Sequence, residues 1–85
     1  MKVLHVEAGM HLYGGALQVV FLLRGLKALG VDSILACPDG SVIAREAASH
    51  AQVVTLPMKG DLDVGLLSRL RHLIREVRPD VVHLH

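Results

Sequence analysis

Apolar residues along this chain follow two alternating rhythms. Short, nearly continuous runs rich in Val, Leu and Ile occupy residues 2–7, 33–37, 52–56 and 80–85. Such runs read as strands buried on both faces, as in a parallel sheet. Between them the apolar residues recur at helical spacing. A helix is predicted over about 16–29, with Val19, Leu22, Leu23 and Leu26 as its stripe and Arg24 and Lys27 opposite. Leu17, Val20 and Phe21 fall outside that stripe, so the first half of this helix is apolar nearly all round. Gly30 is a natural stop. Ser41 is placed to cap a short helix reaching about residue 49, its oxygen accepting a free backbone N–H. The third helix has the clearest stripe: Leu66, Leu67, Leu70, Leu73, Ile74 and Val77, with Arg69, His72, Arg75 and Glu76 facing away. Asp61 or Asp63 offers its N-cap, and Pro79 stops it.

Alternation of strand and helix through short loops implies right-handed crossovers onto a parallel sheet with helices on both faces. The expected fold class is three-layer α/β, a Rossmann-like parallel sheet of strand order 3-2-1-4. Ligands of such sheets bind beyond the carboxyl ends of the strands, where the order reverses between the first and fourth. Residues 7–15 line that point on one side and His85 on the other. A domain of this class normally adds a helix over its fourth strand, so 1–85 is expected to be the first half of an incomplete domain.

Composition narrows the function classes. With 52% hydrophobic and 20% charged residues, the chain has the apolar surface to offset its ordering entropy and is not a disordered one. A mean hydropathy of +0.47 is high for so short a chain, which points to apolar surface meant for a partner. That partner is another subunit or the remainder of the same polypeptide, and an uncovered sheet edge would favour self-association. A net charge of +1 gives no basic field for a phosphate backbone, so nucleic acid is not an expected partner. The single cysteine, Cys37, fits a reducing compartment and reads as inert core. Neither a signal-peptide pattern nor the roughly 20 apolar residues of a membrane span are found, so a cytoplasmic location is expected.

Gly14 and Gly15 stand between the first strand and the first helix. Either they let the backbone and the helix N–H groups approach an anion such as a diphosphate, or they simply make the tight turn. Their spacing from Gly9 is not the dinucleotide fingerprint. Asp39 stands where a nicotinamide enzyme places its ribose-binding carboxylate, yet Pro38-Asp39-Gly40 also reads as a turn. Glu7 and His11, at the mouth of the first strand, can hold a hydroxyl-rich ligand or move a proton; Glu7 can equally cap loop N–H groups. His83 and His85 share a face of the last strand. Two imidazoles fall short of the three protein ligands of a catalytic zinc, no third candidate is evident, and no metal is expected. His85 is the better cleft candidate, whereas His83 and His5 read as satisfied core residues.

Taken together, MKVLHVEAGMHLYGGALQVVFLLRGLKALG, CPDGS, LPMKGDLD and LIREVRPDVVHLH resemble family-four glycosyltransferases of the GT-B type, over the whole chain. The resemblance implies two Rossmann-like domains facing across a cleft, the N-terminal one mostly binding the acceptor and the C-terminal one mostly the nucleotide sugar. It implies retaining transfer from a UDP- or GDP-type nucleotide sugar to a glycan or lipid-linked acceptor. No cofactor and no metal ion are implied, and the location is cytoplasmic, peripheral to the inner face of the membrane. On this basis Gly14 and Gly15 approach the donor diphosphate, while Glu7, His11, Tyr13 and His85 border the acceptor side. The paired glutamates of the donor site belong to the C-terminal part of such enzymes. No catalyst is therefore assigned within 1–85, and these residues alone are expected to be inactive. The chain departs from the pattern at Leu17, where many relatives carry glutamate. Two other functions stay open: a nicotinamide- or nucleotide-binding module, and a non-catalytic assembly module.

Overall fold

A computed structural model describes residues 1–8, 14–58 and 64–85. Its elements alternate as β1 (Lys2–Val6), α1 (Gly14–Ala28), β2 (Asp32–Pro38), α2 (Val42–Ala47), β3 (Gln52–Leu56), α3 (Val64–Val77) and β4 (Val81–Leu84). The strands form one parallel sheet of order β3-β2-β1-β4, the order that alternation with short crossovers predicts. β1 and β2 lie inside it with both faces covered, which is why their runs are continuous rather than alternating in polarity. The edge strands are less protected: β3 is half-buried and β4 is exposed along its length.

Strand parity divides the core in two. On one face Leu35 and Cys37 of β2 pack beneath Ala16, Val19, Val20 and Leu23 of α1 and Ile43 and Ala47 of α2. On the other, Leu4 and Val6 of β1 with Ile34 and Ala36 of β2 meet Leu73 of α3, flanked by Leu70 and Val77. Fully buried side chains such as Leu23 and Leu35 each gain about 1.5–3 kcal/mol by leaving water.

Both long helices are rotated from the stripes expected of them. In α1 the buried face is Ala16, Val19, Val20 and Leu23. Val20 belongs to it, whereas Leu22 is exposed and Leu26 only half-buried. Ala16 is buried at the start of that face, while Leu22 points away from it. In α3 the sheet side is Leu66, Leu70, Leu73 and Val77, while Leu67 and Ile74 are exposed. Arg69, expected to face away, is half-buried and donates from Nη1 to the Pro57 carbonyl at 2.9 Å.

Chain reversals explain the remaining boundaries. α1 ends in a Schellman arrangement: Val31 N donates to Leu26 O and Gly30 N to Lys27 O, each at 3.0 Å, with Gly30 at φ +79°. Arg78 ends α3 at φ +52°, a left-handed conformation costly for a residue with a Cβ. Ser41 takes the N-cap position of α2 in extended backbone, but its hydroxyl makes no capping bond, contrary to expectation. That hydroxyl is buried instead beside the Cys37 thiol, without hydrogen-bonding geometry. The helix is also shorter than expected, ending at Ala47. The proposed caps of α3, Asp61 and Asp63, lie outside the described residues.

Candidate functional site

Parallel strands aim their carboxyl ends in one direction, and here β1 and β4 open together beside the start of α1. The ladder continues one residue past each strand: Glu7 N donates to Ala36 O at 3.0 Å and His85 N to Val6 O at 2.9 Å. That holds the backbones of Glu7 and His85 at the mouth. Glu7, Gly15, Gln18, Val19, Leu22, His83 and His85 line a cleft of about 430 Å³ at this point. It is the switch point expected from the strand order.

Of the residues proposed for the site, Glu7, Gly15 and His85 are brought together in this cleft. Gly14, next to Gly15, opens α1 and is exposed. His11 and Tyr13 lie outside the described residues. A Cβ built on Gly14 or Gly15 meets nothing within 4 Å, and neither has a positive φ. The described fold therefore has no steric need for glycine at either position. α1 carries no acidic side chain in its own first turn, and Glu7 of the strand end is the carboxylate that shares the cleft with Gly15.

The histidines are arranged differently from expectation. His83 is not a satisfied core residue; it is exposed and lines the cleft. His5 is fully buried, but its Nε2 has no hydrogen-bond partner among the described residues. Its Nδ1 lies 3.0 Å from His85 Nε2. The three rings form one group, with centroids 5.7 Å apart for His5–His83, 5.2 Å for His5–His85 and 4.0 Å for His83–His85. The third imidazole that the sequence did not reveal is therefore His5. The signal was available: once β1 and β4 are neighbours, parallel register sets His5 opposite His83.

Burial pushes the His5 pKa down to about 4, helped by repulsion from His85 and then His83. Burial also lowers His85, with His83 adding to the shift and Glu7 opposing it. Both rings are thus held as neutral imidazoles at neutral pH, able to accept a hydrogen bond or a proton from a hydroxyl. Gln18 and Leu22 complete the wall; Leu22 is there because α1 is rotated from its predicted face.

Elsewhere the turn reading of Pro38-Asp39-Gly40 holds, since Ser41 N donates to Pro38 O at 3.2 Å around Gly40 at φ +71°. Burial pushes the Cys37 thiol up and the nearby Ser41 hydroxyl offsets only part of this, as suits an inert core cysteine. A hollow of about 470 Å³ lies at the opposite, amino end of the strands, between Lys2, Lys27, Asp32 and Gln52. It is far from the switch point, and Lys27 is already engaged there with the Ser49 carbonyl at 2.9 Å. Among the described residues no helix is long and apolar enough to cross a membrane.

Residues 13–85 match the family model described as Glycosyltransferase Family 4. No curated protein and no solved structure matches the chain.

Proposed function

This chain belongs to glycosyltransferase family 4, and we propose that it forms the N-terminal-domain wall of a sugar-transfer cleft. In this reading the donor is a UDP- or GDP-type nucleotide sugar whose diphosphate meets the N-terminus of α1 at Gly14 and Gly15. The acceptor is a glycan or a lipid-linked saccharide held by Glu7, His11, Tyr13 and His85. Transfer proceeds with retention, without a cofactor, and the remaining part of the enzyme closes the cleft from the other side. The reaction takes place in the cytoplasm at the inner face of the membrane. Residues 1–85 alone bind but do not turn over, because the groups that hold the sugar nucleotide from the opposite wall are supplied by that remaining part.

The observation that carries this reading is the open space over Gly14 and Gly15 at the start of α1, where Gly15 shares the cleft wall with Glu7 and His85. Glycine where the described residues impose no steric need for it, at a helix N-terminus, lets backbone N–H groups be approached closely by an anion. A neutral His85 opposite supplies a hydrogen-bond acceptor for a sugar hydroxyl. The exposed face of β4 and the outer side of α3, with Leu67, Val82 and Leu84, provide apolar surface for the rest of the enzyme.

A two-dimensional amide NMR spectrum, titrated separately with UDP, GDP and NAD, tests the reading. Shifts confined to Gly14, Gly15 and His85 on adding UDP or GDP are expected. A response to NAD alone, centred on Asp39, would overturn the proposal in favour of a nicotinamide-binding module.

A further inference from the structure

We infer that His5, His83 and His85 together bind one divalent transition-metal ion of the zinc class at the mouth of the β1–β4 cleft. Each residue offers one ring nitrogen, and these three nitrogens lie within 4.8 Å of one another. Their positions are fixed by the sheet rather than by a loop. His5 and His83 are register partners on adjacent central and edge strands, and His85 follows on the same face of β4, anchored by its own N–H to Val6 O. Little backbone entropy remains to be lost when such a group closes on an ion.

A hydrogen bond between His5 and His85 does not account for the arrangement. It uses one nitrogen of each ring and leaves the buried Nε2 of His5 without a partner. Buried polar atoms in folded proteins are nearly always satisfied, and an orphan of this kind calls for a missing partner or a functional reason. It also leaves the His83 ring, tilted with its centroid 4.0 Å from that of His85, with no role. Coordination gives all three rings one.

The donor set states the ion class. Three imidazoles and no carboxylate favour Zn²⁺, Co²⁺, Ni²⁺ or Cu²⁺ over Mg²⁺ and Ca²⁺, which take oxygen ligands. Three protein nitrogens with a fourth position open is the pattern of a zinc site that exchanges a ligand rather than one closed for structure. His83 and His85 are exposed to the cleft, so that fourth position takes water or an oxygen of whatever the cleft binds. Coordination requires these two exposed side chains to turn until their nitrogens lie the roughly 2.0–2.1 Å of a Zn–N bond from the ion. The inference stands apart from the glycosyltransferase reading, whose family resemblance implies transfer without a metal ion.

The test uses the 85-residue chain without a polyhistidine tag, titrated with Zn²⁺ by calorimetry and with Co²⁺ by visible absorption. One saturable site per chain and the intense absorption bands of tetrahedral cobalt are expected. His83→Gln and His85→Gln should each weaken binding by at least about 10–100-fold, the loss that even outer-shell changes produce. His72→Gln, which removes the surface pair with Glu76, should leave it unchanged. His5→Gln is informative only if the chain still folds, so the two exposed histidines carry the test. Absence of a saturable site up to millimolar metal would overturn the inference, as would affinity that survives both variants or is lost with His72→Gln. The nucleotide titration run in chelator-treated buffer keeps the two readings apart: UDP or GDP shifts with no metal site sink this one alone.

Discussion

His5 Nδ1 lies 3.0 Å from His85 Nε2, joining a fully buried residue of the central strand to an exposed one at the rim of the cleft. The link exists because β1 and β4 are parallel neighbours with His5 beside His83, and because His85 stays on the ladder one residue past the strand. The state of the core ring thereby sets what the rim ring presents. Neutral His5 leaves His85 free to accept or donate; a protonated His5 would force it to accept.

Acid should therefore unsettle the fold. A histidine whose pKa is lower in the folded chain than in the unfolded one takes up a proton on unfolding at any pH between the two values. For His5 the folded value is about 4 against 6.5 in the unfolded chain, so its stability contribution is complete above 6.5 and is lost as the pH falls toward 4. At about 1.4 kcal/mol per pH unit between the two values, roughly 2–3 kcal/mol should disappear across that window. His85, shifted in the same direction, adds to the loss. Urea midpoints measured through the window should fall, and the slope should flatten in His5→Gln. A flat wild-type profile would show that His5 is not held neutral by the fold.

Gly14→Ala and Gly15→Ala separate stability from ligand binding. A Cβ at either position meets open space, and alanine is the better helix former. Each variant should be as stable as the parent or gain about 0.4–1 kcal/mol. If these glycines are there for close approach of a diphosphate, UDP or GDP affinity should nonetheless drop. A variant that loses stability, or that keeps full nucleotide affinity, would contradict the role given to this loop.

Two left-handed helix ends predict changes of opposite sign. Gly30, at φ +79° beneath α1, should not tolerate a Cβ: Gly30→Ala is expected to cost about 1 kcal/mol. Arg78 adopts φ +52° with a full side chain, and Arg78→Gly should gain about 0.5–1 kcal/mol by relieving it. Thermal melts of both variants check the pair. The same sign for both would mean that contacts beyond the backbone decide one of them.

The sheet order, the four strands and the position of the cleft were legible from the run lengths, because a strand with both faces covered cannot hide its apolar continuity. The helix faces were not. Leu22 and Val20 both lie near the boundary of the α1 stripe, and the packing of the helix on the sheet, which the pattern does not carry, puts Val20 inside and Leu22 out. In α3 every leucine counted equally in the sequence, yet Leu67 is 69% exposed and Leu73 is buried. β4 is too exposed for a stripe to be enforced from outside it. For the site, Glu7, Gly15 and His85 followed from strand ends alone, whereas His5 needed the β1–β4 register. Parity within one strand reveals His83 with His85; nothing within β4 reveals its neighbour across the sheet.

Val81, Val82 and Leu84 are 45%, 40% and 71% exposed, and Leu67 of α3 adds apolar surface on the side shared with Val82 and Leu84. A strand whose outer backbone groups are unpaired among the described residues, with Val82 and Leu84 on one face and Val81 beside His83 on the other, is a template for another strand. A second copy can satisfy it across a two-fold axis by pairing the two β4 edges antiparallel, which would bury these side chains in the same step. Sedimentation of the 85-residue chain should accordingly show a mass that rises with concentration. Val82→Lys and Leu84→Lys should each lower that association, since an edge lysine must be desolvated on pairing, while leaving the monomer fold intact because both positions are exposed. A mass that stays monomeric at all concentrations would show that this edge is not self-complementary. Association that survives both lysines would place the contact away from this edge, where Leu17, Phe21 and Leu29 are among the exposed apolar residues.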